Sequence, residues 1–583
     1  MTRQSERKAL AAILLLTLVL GGLTLHWGLP GLDSWSNDAP VPRPPLEFGR
    51  IWLEEGHKYP YLQLGLDRLL YTPYLMWLRA SGGIVADCQP LRDCFVDETR
   101  AMTVLIVISR LRSLAMLAGL VLGVFVFTQR LLGSRQAALW AALWAALTGE
   151  LAFFGGLGNL DVPYLFWYVW ALVALLRLVD RGRPRDYAAF GLLATLSITT
   201  KDQVFAAYAL PGLAVLALHW RRVAAEAASA ASTASSAVVL AASSVATSAA
   251  PAWRRFLDRR LLLLAAALLL PFLLINNVLF NWDGFVAHVN YYIAPDGEVA
   301  ALDSGLSLAG ELAQFGDYVD RLAKSMGRPL LALGLVGSAA ALWQRSRRMT
   351  WWLLPLCSYY LFLILPLRVI DTRFSLPSVI LLCCSAGWLA AGLWRGRRQP
   401  EDGRLGGAGA AEAPGTDAPA AARLWAGRSA VVIVAAYSLL YSLNISLAML
   451  DDTRYAAEAF IEANVPSDAR VVAMDQSRHL PRLETMSLSD LVIVDWKDLD
   501  HPEDGPEAIA TVHSADWIVI SDKTADKQTG RPAAVRDALL SGEGGYRVVW
   551  EHQNTPPFNS WLPWAWVESR VSPKVWVLRR DPS

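Results

Sequence analysis

The sequence predicts a polytopic α-helical membrane protein of about eleven transmembrane helices, with a small extracytoplasmic α/β domain at its C-terminus. Three observations carry that prediction. Hydrophobic residues make up 54% of the 583 and charged residues 18%, with a mean hydropathy of +0.32, which is too apolar for a soluble enzyme with one core. Apolar runs close to the roughly 20 residues that a bilayer-crossing helix needs recur along the chain. After residue 450 the pattern changes to short β-type runs between amphipathic ones.

The apolar segments lie near residues 9–29, 103–130, 136–155, 162–180, 186–200, 203–220, 260–280, 328–344, 351–367, 374–394 and 429–449. Basic clusters in "MTRQSERK", "QRLLGSRQ", "RGRPRD", "WRR…RRFLDRR", "RSRR" and "RGRR" then all fall on one side when the helices are counted from a cytoplasmic N-terminus, as the positive-inside rule requires. An odd count puts the C-terminus outside. The first segment reads as a retained anchor, because no small-x-small cleavage site precedes the prolines that follow it.

Residues 1–450 form the membrane part, with an outer loop at 30–102 and flexible cytoplasmic loops at 221–259 and 395–428. The Ala/Ser-rich stretch 224–252 and the Gly/Ala/Pro-rich stretch 401–422 cannot build a packed core. Residues 451–583 form the α/β domain. "DDTRYAAEAFIEANVPSD" and "RPAAVRDALLSG" read as its helices, and "ARVVAMD", "DLVIVDW", "ADWIVISD", "YRVVWEH" and "KVWVLRR" as its strands.

Composition excludes several functions. With 53 basic against 52 acidic residues the net charge is +1, so no global field points to nucleic acid. No P-loop or nucleotide-binding motif is present. No internal repeat of the kind transporters carry is visible. Cys357, Cys383 and Cys384 fall in membrane segments, whereas Cys88 and Cys94 lie in the first outer loop. The latter two are candidates for a short disulfide in an oxidising compartment, the alternative being two free thiols. No Cys/His cluster has metal-ligand spacing. No cofactor is certain from the sequence; a divalent metal bridging two outer acids stays open, with no motif behind it.

Ionisable groups collect on the outer side. Asp33 and Asp38 follow the first helix, and His57, Lys58 and Tyr59 sit in the amphipathic remainder of the first loop. Arg110 lies in the outer part of the second helix. Asp161, Lys201 with Asp202, and Arg368, Asp371 and Arg373 lie at later outer turns. Such groups are costly at membrane depth unless paired or facing a wet cavity, so their gathering from distant loops predicts an outward-facing active site.

Several stretches resemble the multi-spanning C-type glycosyltransferases that use lipid-phosphate sugar donors, in the protein O-mannosyltransferase and aminoarabinose-transferase-like branch. They are "SWSNDAPVP", "HKYPYLQL", "ISRLRSLAMLAGLVLGVFVFTQRLLGS", "GNLDVPYLFWYVWAL", "GLLATLSITTKDQ" and "DTRYAAEAFIEANVPSDARVV". That family usually shows Asp-Glu in the first loop, whereas Asp38 is followed here by Ala39.

The resemblance implies transfer of a sugar from a polyprenyl-phosphate donor to an acceptor hydroxyl, with inversion. A carboxylate, Asp38 or else Asp33, acts as base, and Asp161 orients the acceptor or the sugar. Lys58, Arg110, Lys201 and Arg373 stabilise the leaving phosphate, and His57 and Tyr59 bind substrate. The acceptor class stays open among glycan, lipid and protein. A plasma (inner) membrane location, with membrane lipids as neighbours, follows from the same reading. The other readings are a polysaccharide ligase or polymerase and a lipid-linked-sugar transporter.

Overall fold

The computed structural model describes residues 2–36, 39, 41–54, 58–86, 88–238, 258–293, 307–344, 347–367, 371–395, 418–523, 530–562 and 571–581. Each of the eleven apolar segments is helical in large part, but 136–155 is split into Arg135–Ala146 and Gly149–Gly155 with a 62° bend, 203–220 begins with the 3-10 turn Asp202–Tyr208, and 351–367 is interrupted by the π-helix Tyr360–Ile364. Among the described residues five helices are long and apolar enough to cross a membrane, or up to seven if each of two bent pairs is one span. The smaller count has a physical basis. Pro184–Ile198, Arg259–Ile275 and Arg328–Trp343 have 15, 17 and 16 residues, short of a full hydrocarbon crossing without tilt or local thinning. Of the two spacer stretches, residues 224–238 continue the helix Ala209–Val238, while 239–257 and 396–417 lie outside the described residues.

The helices pack through small residues, as membrane helices do when no hydrophobic drive separates them from lipid. The long helix Glu98–Leu132 lies against Asp161–Arg181 at Gly123, where a side chain would run into Val169. Trp170 Nε1 donates to the Gly119 carbonyl at 3.2 Å across the same seam. The helix Leu376–Arg395 is buried along most of its length, from Leu376 through Gly387, at the centre of the bundle.

The C-terminal part is a five-stranded sheet. Strands β1 (Arg470–Met474), β2 (Asp490–Val494), β3 (Trp517–Ser521), β4 (Tyr546–His552) and β5 (Val575–Arg580) run in the order β2-β1-β3-β5-β4. The first three are parallel, and β5 and β4 add in antiparallel pairs. Strand period two divides the apolar residues between faces. Val471, Ala473 and Val519 pack with Ala457 and Ile461 of the helix Thr453–Asn464. Val472, Met474, Ile518 and Ile520 pack on the other face with Val512 and Leu539, which belong to the helices Gly505–His513 and Arg531–Ser541.

Beyond the carboxyl end of β1, His479 Nδ1 lies 2.8 Å from Asp475 Oδ1, both side chains being buried. Burial lowers the imidazole from its ordinary 6.5 to about 4; Asp475 pulls it up, and Lys523 and Arg478 push it down further. The folded state therefore refuses a proton that the unfolded chain accepts below pH 6.5. Stability present above pH 6.5 is expected to fall by about 3 kcal/mol as pH drops towards 4. Unfolding midpoints of the full chain across this range should flatten in His479→Gln.

Candidate active site

A mouth is built where the turns around residues 158–161, 199–202 and 371–375 meet at one end of the bundle. Gly158 adopts a φ of +71°, and its missing side chain lets the turn approach the backbone of Ser109 and Arg110. Asn159 next locks Asp161: its Oδ1 accepts from the Asp161 N–H at 3.1 Å and its Nδ2 donates to Asp161 Oδ2 at 2.8 Å. Asp161 opens the helix Asp161–Arg181, where the helix dipole favours an acid. Its carboxylate is 1% exposed.

Lys201 comes from the end of the helix Pro184–Ile198. Thr199 and Thr200 turn their hydroxyls back onto the Thr195 and Leu196 carbonyls at 2.9 and 2.8 Å, ending the helix and releasing Lys201 into extended backbone. Lys201 Nζ meets Asp161 Oδ1 at 2.5 Å. The rings of Tyr164 and Phe374 flank the ammonium at 5.5 and 6.0 Å. Arg373 lies 5.6 Å from the Phe374 ring centroid and pairs with Asp371 at 3.5 Å. Three residues expected from the sequence, Asp161, Lys201 and Arg373, thus share one wall. On the next residue, Asp202 Oδ2 meets His288 Nε2 at 3.0 Å, with His288 supplied by the helix Trp282–Ile293.

The first loop wraps this mouth. The Leu62 N–H donates to the Thr199 carbonyl at 3.2 Å, which holds the start of the helix Leu62–Ala80 beside the Lys201 turn. That helix is tied down further along by a buried ion pair, Asp67 to Arg112 at 2.6 Å, and Arg112 also donates to the Gly158 carbonyl at 3.2 Å. Lys58 stands 5.8 Å from the centroid of the adjacent Tyr59 ring. Arg110 is fully buried and gives Nη1 to the Leu25 carbonyl at 2.6 Å and Nη2 to Ser34 Oγ at 3.5 Å. It braces the loop. Cys88 and Cys94 are joined by a disulfide with Cα atoms 5.5 Å apart. Asp38 and His57 lie outside the described residues, as does Arg368.

Asp33 sits where the first loop docks on the sheet, beside Arg478 and Glu484. Trp27 Nε1 donates to Asp452 at 2.9 Å, and Arg454 binds the same carboxylate through Nε and Nη2 at 3.0 and 2.7 Å. The Arg454 guanidinium lies 3.7 Å from the Trp35 ring centroid. Tyr455 Oη accepts from the Gly28 N–H at 2.8 Å, and Arg482 donates to the Pro30 carbonyl at 3.2 Å. Asp33 remains exposed between these anchors. Crowding by the surrounding protein raises its carboxyl above the usual range, against the opposing pull of Arg43 and Arg478.

Residues 103–247 match the family model described as dolichyl-phosphate-mannose-protein mannosyltransferase. Asp161, Lys201 and Asp202 all lie within that stretch.

Among solved structures, ArnT from Cupriavidus metallidurans in the apo state is similar at 14% identity over 97% of each chain, with a TM-score of 0.44. Its form bound to undecaprenyl phosphate is similar at 13% identity over 99% of this chain and 98% of that one, with a TM-score of 0.43. The oligosaccharyltransferase AglB from Archaeoglobus fulgidus, in complex with an inhibitory peptide and a dolichol-phosphate, is similar at 11% identity. It covers 88% of this chain and 70% of its own, at a TM-score of 0.40. At these scores they stand as likenesses, and nothing below rests on them. No curated protein sequence matches the chain.

Several residues of this mouth were not expected from the sequence as site residues: Asn159, Tyr164, Asp67, Arg112 and His288. Asn159 was in view within "GNLDVP". Asp67 and Arg112 carried a signal, since a charge set among apolar helix residues asks for a buried partner; which partner is decided 45 residues away. Nothing local marks His288. Among the described residues no three His, Cys, Asp or Glu side chains gather as a metal site would.

Proposed function

We propose that the chain transfers a sugar from a polyprenyl-phosphate donor to an acceptor hydroxyl at the extracytoplasmic face, with inversion at the anomeric carbon. One observation carries this reading. The stretch that matches the mannosyltransferase family contains both Asp161 and Lys201, and these two meet at 2.5 Å at the mouth of the bundle. An ammonium held there by a fixed carboxylate suits a leaving group whose charge grows from a phosphodiester to a phosphate monoester, because a preoriented cation needs no reorganisation as that charge develops.

In this reading Lys201, Arg373 and Lys58 face the donor phosphate, and Arg373 adds the planar fork that suits phosphate oxygens. Asp161 positions Lys201. Arg110 acts through the loop it braces. A first-loop carboxylate takes the acceptor hydroxyl's proton as the new C–O bond forms, and the old C–O bond breaks with its electron pair going to the phosphate. Asp38 is that base by its place in the first-loop motif, and Asp33 is the alternative. The N-terminus is then cytoplasmic, the sheet domain extracytoplasmic, and residues 451–583 one domain.

The test uses the full chain in lipid nanodiscs with radiolabelled polyprenyl-phosphate sugars. One donor is expected to be consumed, and either Asp38→Asn or Asp33→Asn is expected to slow consumption by about 10²–10⁴-fold. A wild-type chain that neither binds nor consumes any of these donors would overturn the reading.

A further inference from the structure

The connection that leaves β4 does not stay with the sheet. Asn554 reaches the end of the helix Ala418–Leu450, where its N–H donates to Thr453 Oγ1 at 2.9 Å and its Nδ2 to the Asp451 carbonyl at 2.7 Å. The chain then descends along that helix. Asn444 accepts the Phe558 N–H on its Oδ1 and gives its Nδ2 to Asn559 Oδ1, both at 2.8 Å. Asn444 precedes Leu450 by six residues, so the loop has run about 9 Å down the side of a membrane span.

We propose that residues 553–562 form a membrane foot, in which Phe558 and Trp561 enter the interface of the leaflet facing the sheet domain and phospholipid is their partner. This seat needs only that Ala418–Leu450 crosses the bilayer, and it stands apart from the transfer reaction.

The chemistry of the loop fits lipid. From Gln553 to Leu562 there is no charged residue, whereas Glu551 and Lys574 pair where the two strands stop. Pro556 and Pro557 bring no N–H to be satisfied. The Asn559 N–H donates to the Pro556 carbonyl at 3.1 Å, and those of Trp561 and Leu562 to the Phe558 carbonyl at 3.0 and 2.9 Å. Non-helical backbone tolerates membrane depth when its polar groups are met in this way. Leu562 turns inward and is buried, while Trp561 turns out, 71% exposed, with its ring 5.7 Å from that of Phe558. An indole, apolar with one N–H, settles at the boundary between acyl chains and headgroups.

The surroundings set the depth. Eleven residues make close to three helical turns, so Ile433 faces the same way as Asn444 from deeper in the span, and it is 65% exposed. The loop therefore continues a lipid-facing stripe. Tyr441, within one turn of Asn444, donates its Oη to the Lys324 carbonyl near the end of the helix Leu308–Met326. That helix turns by 117° into Arg328–Trp343. Its Leu308, Leu312 and Phe315 share one face and are exposed, the pattern of a helix lying in the interface. Loop and helix thus stand at one level.

The experiment places the full chain in nanodiscs of phosphatidylethanolamine and phosphatidylglycerol, with photoreactive p-benzoylphenylalanine in place of Trp561. The reference puts it in place of Glu543, which is exposed beyond the other end of β4, roughly 20 Å away. After irradiation, mass spectrometry is expected to find roughly ten-fold more phospholipid adduct at position 561 than at 543. Equal adduct at both positions, or cross-links from 561 mainly to a second copy of the chain, would overturn the proposal. Trp561→Asp is expected to speed proteolytic cleavage within residues 553–562 by roughly ten-fold. Trp561→Tyr should keep the wild-type rate, because tyrosine also settles at the interface. Neither variant removes a core contact, so both should melt as wild type does. Equal cleavage of Trp561→Asp and wild type would also overturn the proposal.

Discussion

Replacing Asp161 by asparagine is expected to lower sugar transfer by about 10²–10³-fold and to destabilise the bundle by about 3–5 kcal/mol. Both effects have one cause. Lys201 is 8% exposed, and its ammonium would remain in place without the carboxylate that compensates it at 2.5 Å. Asn159, which orients Asp161 with two hydrogen bonds, would then face an amide able to flip. Lys201→Met should give a comparable loss of stability, since it strands the carboxylate instead.

The double variant Asp161→Asn with Lys201→Met separates structure from chemistry. Removing both charges takes away the need for pairing, so thermal midpoints should recover most of the loss. Transfer should stay low, because no ammonium faces the leaving phosphate. If transfer returns with stability, the pair is only a structural tie and the donor phosphate is held elsewhere.

The second large effect is expected at the dock between the first loop and the sheet. Asp452 and Arg454 are both 0% exposed, and Arg454→Met should destabilise that dock by about 3–5 kcal/mol by leaving the Asp452 carboxylate without its charged partner. Trp27 and the Ser572 N–H, which bond Asp452 at 2.9 and 3.1 Å, would still satisfy part of it. Trp35 would lose the nearer of the two cations over its ring, keeping Arg482 at 5.8 Å. The intrinsic tryptophan signal and limited proteolysis of the first loop report the change directly. An Asp452→Asn, Arg454→Met double variant should regain most of the stability. A single variant as resistant to proteolysis as wild type would show that the apolar contacts alone hold the loop.

The secondary structure of this chain was legible where a repeating pattern decides it. Apolar runs of helical length became helices. "RVVAM", "DLVIV" and "WIVIS" became parallel strands of one sheet, because alternate residues must enter opposite apolar layers. Asp161, Lys201 and Arg373 could be proposed for one site because three separate turns were each assigned to the same side by arginine placement. Their contacts could not be read. The sequence made Lys201 a phosphate ligand, whereas the fold gives it Asp161 first. It made Arg110 another, whereas the fold buries it against Leu25 and Ser34. Neither difference has a local signal, since a guanidinium or ammonium looks the same in sequence whether it faces a ligand or a carbonyl.

The sequence by itself determined that this chain is a polytopic membrane protein with a small α/β domain, and it brought the resemblance to C-type glycosyltransferases into view. These properties depend on composition, period and short motifs, all of them local. Only the tertiary structure decided which charges pair, that Asp202 meets His288, and that the first loop is pinned to the sheet by Trp27, Trp35 and Arg454. Those contacts join residues dozens to hundreds of positions apart, as with Trp27 and Asp452. They exist because a buried charge or indole N–H must find a partner, wherever along the chain the fold supplies one.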